Sequence, residues 1–187
     1  EELPKDSTSQ SLKGRMLYGM SRIQDSYKDY LGGEISATAA VKIFNELEDN
    51  YRLHLAYNML GVLGNGMGNS EKSIESYNKA REYLMKSERA DKTELLWKIK
   101  NNIASIYLNS GDYLGAKNYY KELLLDNQLK AKMPGLYEKA LGSLAYSILK
   151  VDGDTEQAEK LLREAFDINS QTGDLYDKAR LHYFYAE

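Results

Sequence analysis

The chain has 187 residues, of which 42% are hydrophobic and 28% are charged, a composition typical of a water-soluble protein with one or two domains. Its net charge of −3 and pI near 5.6 give no basic surface for nucleic acid, so DNA and RNA are not expected partners. The absence of cysteine excludes disulfides, thiolate metal sites and a cysteine nucleophile, and leaves the compartment open. With only two prolines, long uninterrupted helices are favoured over strands.

The first part of the chain predicts a leader followed by two helices. Residues 1–11 are polar, and we expect them to form a flexible leader. A helical pattern of apolar side chains begins near Leu12 and is predicted to stop at Gly32-Gly33. A second amphipathic pattern covers Ser36 to Leu47. Residues 12–50 are therefore predicted to form a divergent first helical hairpin.

From Tyr51 the plan of helix, turn and helix recurs. Asp91 and Glu94 have the spacing of a capping box, which predicts that a helix starts there. Asp112 is a good N-cap, and Pro134 suits the first turn of a later helix because its missing N–H costs nothing there. The predicted repeats cover residues 51–90, 91–131, 132–173 and, in part, 174–187, and together with 12–50 they are expected to form one domain.

The turn glycines make this repetition quantitative. Gly68, Gly111 and Gly153 recur at intervals of 43 and 42 residues. The small residues that follow the turns, Ser73, Ala116 and Ala158, keep the same intervals. A period of this size in helix pairs is typical of a solenoid.

These residues resemble the signature of the tetratricopeptide repeat family. That family has a Leu-Gly/Ala-x-x-Tyr motif in its first helix, a Gly-Asp or Gly-Asn turn, and then Ala, an aromatic residue and Ala. The matching residues in the first clear copy are Leu60-Gly61, Gly68-Asn69, Ser73, Tyr77 and Ala80. Those in the second are Ile103-Ala104, Tyr107, Gly111-Asp112, Ala116, Tyr120 and Leu123. Those in the third are Leu144-Ala145, Gly153-Asp154, Ala158, Leu162 and Ala165, and Tyr185-Ala186 resembles the start of a fourth.

The resemblance implies an all-α, right-handed superhelical solenoid of antiparallel helix hairpins. The usual period of the family is about 34 residues. The longer interval in this chain resembles the variety found in bacterial sensor and regulatory proteins. The chain begins with Glu1 and ends within a helical pattern at Glu187, so we expect the natural protein to extend beyond both residues.

In this family ligands usually bind the concave surface, which the first helix of each hairpin lines. The repeat register places a set of amides, cations and hydroxyl groups on that face, and they are candidates for holding a peptide backbone or a carboxylate. The candidates are Asn58, Asn65, Lys98, Asn101, Ser105, Lys139, Tyr146, Arg180 and Tyr183. Some members bind a C-terminal carboxylate through a clamp of Lys, Asn and Arg, but Asn58 stands where the first Lys of that clamp is expected.

No residue set predicts catalysis, a metal site or a cofactor. The glycine-rich segment from Gly61 to Gly68 follows a helical pattern and lacks the Lys-Ser/Thr of a phosphate-binding loop, so it is interpreted as a turn. His54 and His182 have no histidine or cysteine at ligand spacing and are expected to be surface or partly packed residues.

The sequence therefore predicts a non-enzymatic module that binds a protein or peptide. We expect it to be the sensor or interaction segment of a larger bacterial regulatory protein. The alternative is a receptor domain for a small molecule or a peptide signal, with a pocket lined by tyrosines. No run of apolar residues is long enough to predict a membrane span.

Overall fold

The computed structural model describes residues 6–172 and 175–186. It has ten α-helices and, within those two ranges, no β-strand, so the predicted all-α fold of antiparallel helix hairpins is confirmed. The helices are α1 (Ser7–Ser26), α2 (Tyr30–Glu46), α3 (Asn50–Gly66), α4 (Ser70–Lys86), α5 (Lys92–Asn109), α6 (Tyr113–Leu124), α7 (Leu129–Lys132), α8 (Pro134–Asp152), α9 (Thr155–Thr172) and α10 (Leu175–Ala186). Residues 1–5 of the predicted leader and Asp174, the first residue of the predicted partial repeat, lie outside the described residues.

The chain divides into two compact units, Glu1–Lys92 and Thr93–Glu187. Unit 1 contains α1 to α4. Unit 2 contains α6 to α10 and all of α5 except its first residue. Each unit is described by itself below.

Five turns share the same two-residue arrangement. A residue with positive φ follows one helix, and the Asp or Asn after it caps the next. Gly68, Gly111 and Gly153 have φ of 74°, 81° and 65°. The caps Asn69, Asp112 and Asp154 accept hydrogen bonds from the backbone N–H three residues on. Glycine suits these positions because it has no Cβ to clash in the left-handed conformation.

The same arrangement builds the first hairpin with residues that the sequence pattern did not reveal. Lys28 and Glu48 have φ of 60° and 52°, and Asp29 and Asp49 cap the following helices. Lys28 precedes Gly68 by 40 residues, so the turn of the first hairpin repeats that of the next one, with Lys in place of the turn glycine.

Three predictions about this hairpin were therefore wrong. α1 begins at Ser7 because Asp6 accepts hydrogen bonds from Thr8 and Ser9, so the second half of the predicted leader is helical. α1 ends at Ser26, well before the glycine pair, and α2 starts at Tyr30 and not at Ser36. Gly32-Gly33 lies in the first turn of α2.

Small residues allow the helices of unit 1 to approach closely. A Cβ on Gly33 would lie 2.6 Å from Cδ2 of Leu63 and 3.3 Å from the carbonyl oxygen of Ser21. In the next hairpin Ser73 is fully buried and donates its hydroxyl hydrogen to the carbonyl oxygen of Gly61. Two buried clusters of the unit comprise Ala37, Ala40, Ile43, Phe44, Leu53, Ala56, Met59 and Leu63.

In unit 2, α5, α6 and α8 share one core. Its buried members are Trp97, Ala104, Ala116, Tyr120, Leu123, Leu129, Ala140, Leu144 and Ile148. The predicted start of α8 at Pro134 is confirmed. Between α6 and α8 lies the short helix α7, which the sequence pattern did not predict and which inserts the fully buried Leu129 into this core.

Candidate functional site

Three first helices of unit 2 border a cavity of about 430 Å³. We call it the α5/α8/α10 cavity. Four of the residues predicted from the sequence line it, namely Ser105 from α5, Tyr146 from α8, and Arg180 and Tyr183 from α10. The other lining residues are Leu108, Asn109, Tyr113, Ser143 and Phe184.

Hydroxyl groups form the polar end of this cavity. The Ser105 hydroxyl lies 3.0 Å from that of Tyr120, which belongs to α6 and is only 1% exposed. Burial raises the pKa of Tyr120, while hydrogen bonds with Ser105 and Ser143 and the positive charge of Arg180 act in the opposite direction. The phenol is therefore neutral at physiological pH. It fixes the Ser105 side chain at the border between the hairpin core and the cavity.

Arg180 brings a positive charge with unused hydrogen-bond donors. Its Nε and Nη2 are buried atoms that make no hydrogen bond within the described residues. Nη2 lies 3.4 Å from Oδ1 of Asp177, and the guanidinium carbon lies 5.9 Å from the ring centroid of Phe184. Because an arginine presents several N–H donors in a fixed plane, these two atoms suit an acceptor with oxygen atoms, such as a carboxylate or a peptide carbonyl.

The remaining wall of the cavity is aromatic. The ring of Tyr146 stacks on Phe184 with a centroid separation of 4.7 Å, and it meets Tyr113 edge to face at 5.9 Å. Tyr183 lies 6.2 Å from Tyr146 and is half-exposed. Burial raises the pKa of the Tyr146 hydroxyl, so this side chain is uncharged at physiological pH. Aromatic rings beside polar groups are typical of surfaces that bind peptides.

Comparison with protein families supports the repeat assignment. Residues 54–83 and 98–125 match the family described as tetratricopeptide repeat. These two segments are therefore similar to tetratricopeptide repeats. The matched segments fall on the α3–α4 and α5–α6 hairpins. Tetratricopeptide repeats generally act as scaffolds for protein–protein interaction and are typically non-enzymatic. No curated protein matches the chain.

Five of the nine lining residues were not predicted from the sequence, and two of them, Tyr113 and Phe184, belong to the aromatic wall. Tyr113 directly follows the cap Asp112, and Phe184 directly follows the predicted Tyr183. Neither occupies one of the register positions that were counted along the first helices. Their adjacency to motif residues was the available signal, but only the packing shows that they stack with or abut Tyr146.

A second cavity of about 430 Å³ contains two more predicted residues, Lys98 and Lys139. Its other lining residues are Lys132, Met133, Gly135, Leu136, Glu138 and Asp177. Nζ of Lys139 lies 3.2 Å from Oδ2 of Asp177, whose side chain is only 2% exposed, and Lys132 pairs with Glu94 at 3.0 Å. Lys139 therefore joins α8 to α10 and neutralises a buried carboxylate, which is a structural role.

The three remaining predicted residues line neither cavity. Asn58 is half-buried in the middle of α3, and Asn65 is exposed near the end of the same helix, so both belong to unit 1. Asn101 is half-buried on α5, one helical turn before Ser105. Roles for these three amides in ligand binding stay predictions.

The histidines have separate environments. His54 is buried in unit 1, where its Nδ1 donates to the carbonyl oxygen of Ala80 at 3.1 Å, and burial lowers its pKa. His182 is exposed in unit 2, where its ring lies 5.0 Å from that of Phe166. Across residues 6–172 and 175–186, no group of three potential ligands could hold a metal ion. The same ranges contain no helix with the length and apolar character needed to cross a membrane.

Proposed function

We propose that unit 2 is a peptide-binding scaffold whose ligand occupies the α5/α8/α10 cavity. One observation carries this proposal: four residues chosen by their register positions along the first helices of three repeats line a single cavity, namely Ser105, Tyr146, Arg180 and Tyr183. Interaction with proteins is the general role of tetratricopeptide repeats, and this cavity lies among first helices, where the family usually binds its ligands.

The chemistry of the lining defines the expected ligand. Arg180 offers two buried donors, and the hydroxyls of Ser105 and Ser143 lie on the same side of the cavity. A carboxylate meets this requirement best because charge-assisted hydrogen bonds to arginine are the strong ones. An apolar or aromatic side chain next to that carboxylate would pack against Tyr146 and Tyr183. The proposed ligand is therefore a peptide segment with an acidic group beside an apolar residue.

A receptor for a small molecule or a peptide signal is the second candidate. The cavity volume of about 430 Å³ falls within the usual range of small-molecule sites, about 300–1,000 Å³. The aromatic wall would suit a small carboxylic acid as well as a peptide. For the larger context, we infer that the chain is the interaction segment of a bacterial regulatory protein, which the repeat intervals of 43 and 42 residues support.

Isothermal titration distinguishes these candidates. Acidic peptides with a free C-terminal carboxylate, their amidated counterparts, peptides with an internal Asp or Glu, and a pool of small carboxylic acids would each be titrated into the protein. We expect binding of at least one peptide class, and we expect Arg180→Met to weaken that binding about tenfold or more, as lost charge-assisted hydrogen bonds would. Binding by small acids alone would favour the receptor.

Lys178 provides the matched control. It lies on the same helix, is exposed, and does not line the cavity. Lys178→Met removes the same charge from α10 and should leave affinity unchanged. Circular dichroism would establish that both variants fold. Equal binding by the parent chain and a folded Arg180→Met variant would overturn the proposed site.

A further inference from the structure

One face of α1 is apolar and exposed to solvent. Its large side chains are each between 50% and 81% exposed, whereas Leu17 and Tyr18 on the other face of the helix pack against the core of unit 1. We call the exposed face, together with the glycine between its members, the α1 stripe. It comprises Leu12, Met16, Gly19, Met20, Ile23 and Tyr27.

The repeat shows what this face does elsewhere in unit 1. The turns at Lys28 and Gly68 lie 40 residues apart, so Met16, Gly19 and Ile23 of α1 correspond to residues 56, 59 and 63 of α3. Those three, Ala56, Met59 and Leu63, are buried in the clusters that α3 forms with α2. Three members of the α1 stripe therefore have the position of a helix-packing face, whereas Leu12, Met20 and Tyr27 correspond to residues 52, 60 and 67, which are half-buried or exposed. The described residues of unit 1 leave the α1 stripe uncovered.

Gly19 gives independent support for a helical partner. At six glycines within these helices, a group from another helix occupies the space next to the glycine Cα. An added Cβ would lie 3.2 Å or less from an atom of another helix at Gly14, Gly33, Gly61, Gly64, Gly66 and Gly142. At Gly19 it would meet nothing within 4 Å. A glycine inside a helix costs about 0.5–1 kcal/mol relative to alanine. An open glycine in the middle of an apolar face is therefore suited to receive a side chain from outside.

The spacing of the stripe identifies the partner. Its successive intervals are 4, 3, 1, 3 and 4 residues, which read the same in both directions. We propose that the α1 stripe joins two copies of this chain, with their α1 helices antiparallel and crossing between Gly19 and Met20. Leu12 then faces Tyr27, Met16 faces Ile23, and Met20 of each copy fills the open space at Gly19 of the other. Such mutual pairing is what a two-fold interface requires.

The charges on α1 agree with this register. Lys13, Arg15, Arg22 and Asp25 flank the stripe and are exposed or half-buried. In the antiparallel pairing they stand level with Ser26, Gln24, Leu17 and Gly14 of the second copy. No charge of α1 is placed opposite a like charge, so the crossing avoids electrostatic repulsion. This inference is independent of the peptide site in unit 2.

Engineered cysteines test the register directly, because the natural chain has none. Met16→Cys and Ile23→Cys are prepared separately, mixed and oxidised. Only the mixture should give a disulfide-linked dimer, since position 16 of one copy faces position 23 of the other. In either variant alone the two engineered thiols are displaced by about 10 Å along the helices, given a rise of 1.5 Å per residue. Such a separation exceeds what a disulfide can bridge.

Light scattering after size exclusion tests the association itself. At about 100 μM the parent chain should have twice the 21.3 kDa mass of one chain and should dissociate on dilution. Met20→Glu should remain at 21.3 kDa at the same concentration. Leu114→Glu is the matched control in unit 2, since Leu114 is 54% and Met20 50% exposed, and it should leave the dimer intact.

The outcomes are distinct. Two results together support the proposal. The disulfide forms only in the mixture of the two cysteine variants, and the dimer is lost in Met20→Glu but not in Leu114→Glu. A parent chain that stays monomeric at about 100 μM would overturn the proposed dimer. It would indicate that the α1 stripe packs against a different helix. Efficient cross-linking of Met16→Cys with itself would indicate a parallel pairing and would equally overturn the antiparallel crossing.

Discussion

The ring of Tyr77 lies directly over Gly61, so that a Cβ on Gly61 would be 2.8 Å from its Cε1 and Cζ atoms. Both residues are buried, and Ser73 bonds to the Gly61 carbonyl from the same helix as Tyr77. The α3–α4 hairpin therefore depends on the absence of a side chain at one position. We predict that Gly61→Ala lowers the free energy of unfolding by about 1–3 kcal/mol through overpacking. Urea unfolding followed by circular dichroism measures this change.

Gly19→Ala is the control for that measurement. Its new Cβ meets nothing, so at concentrations where the chain is monomeric it should stabilise by about 0.5–1 kcal/mol through helix propensity. Similar effects of the two substitutions would show that the contact with Tyr77 does not limit the approach of α3 and α4.

Lys28 adopts a left-handed conformation that glycine occupies at the equivalent turns. A non-glycine residue there costs about 1–2 kcal/mol, and part of this is recovered because glycine is more flexible in the unfolded chain. We predict that Lys28→Gly stabilises unit 1 by about 0.5 kcal/mol. Gly111→Ala, where a Cβ meets no other atom, should destabilise unit 2 by about 1 kcal/mol through the backbone alone. Thermal midpoints that move in the same direction in both variants would contradict this explanation.

His54 should make the stability of unit 1 depend on pH. Its pKa is lowered from 6.5 by burial, so the unfolded state binds the proton more readily than the folded state. Its contribution to stability is therefore fully present above pH 6.5 and is lost as the pH falls through 6.5 toward the lowered pKa. Urea midpoints by circular dichroism between about pH 5 and 8 would record this. His54→Asn should flatten the profile of unit 1, and His182→Asn serves as the control because that histidine belongs to unit 2.

The indole of Trp97 depends on one acceptor. Its Nε1 donates to Oδ2 of Asp126 at 3.1 Å, and the side chain is 5% exposed. Asp126→Ala leaves this N–H without its partner and should cost about 1–3 kcal/mol, while Asp126→Asn keeps an acceptor and should cost less. Trp97 is the only tryptophan, so its fluorescence during denaturation reports on unit 2. Identical midpoints for the two variants would show that the hydrogen bond contributes nothing.

The sequence alone determined the hairpin plan from α3 onward. Two features of the turns are local, because they depend on a residue and its immediate neighbours. They are the positive φ of Gly68, Gly111 and Gly153 and the helix caps at Asp112 and Asp154. The start of α8 at Pro134 has the same origin. The turn at Lys28 escaped prediction because nothing in a lysine side chain indicates a left-handed backbone.

Only the tertiary structure decided which candidate residues meet. The register placed Lys139 and Arg180 on one face, and the structure pairs both with the buried Asp177, Lys139 through Oδ2 and Arg180 through Oδ1. Nε of Arg180 makes no hydrogen bond within the described residues. Tyr113 and Phe184 joined the cavity through ring contacts between different helices. Helical periodicity fixes the direction in which a side chain points around the axis of its own helix. The residues that this side chain contacts depend on how whole helices pack, and residues throughout the core determine that packing.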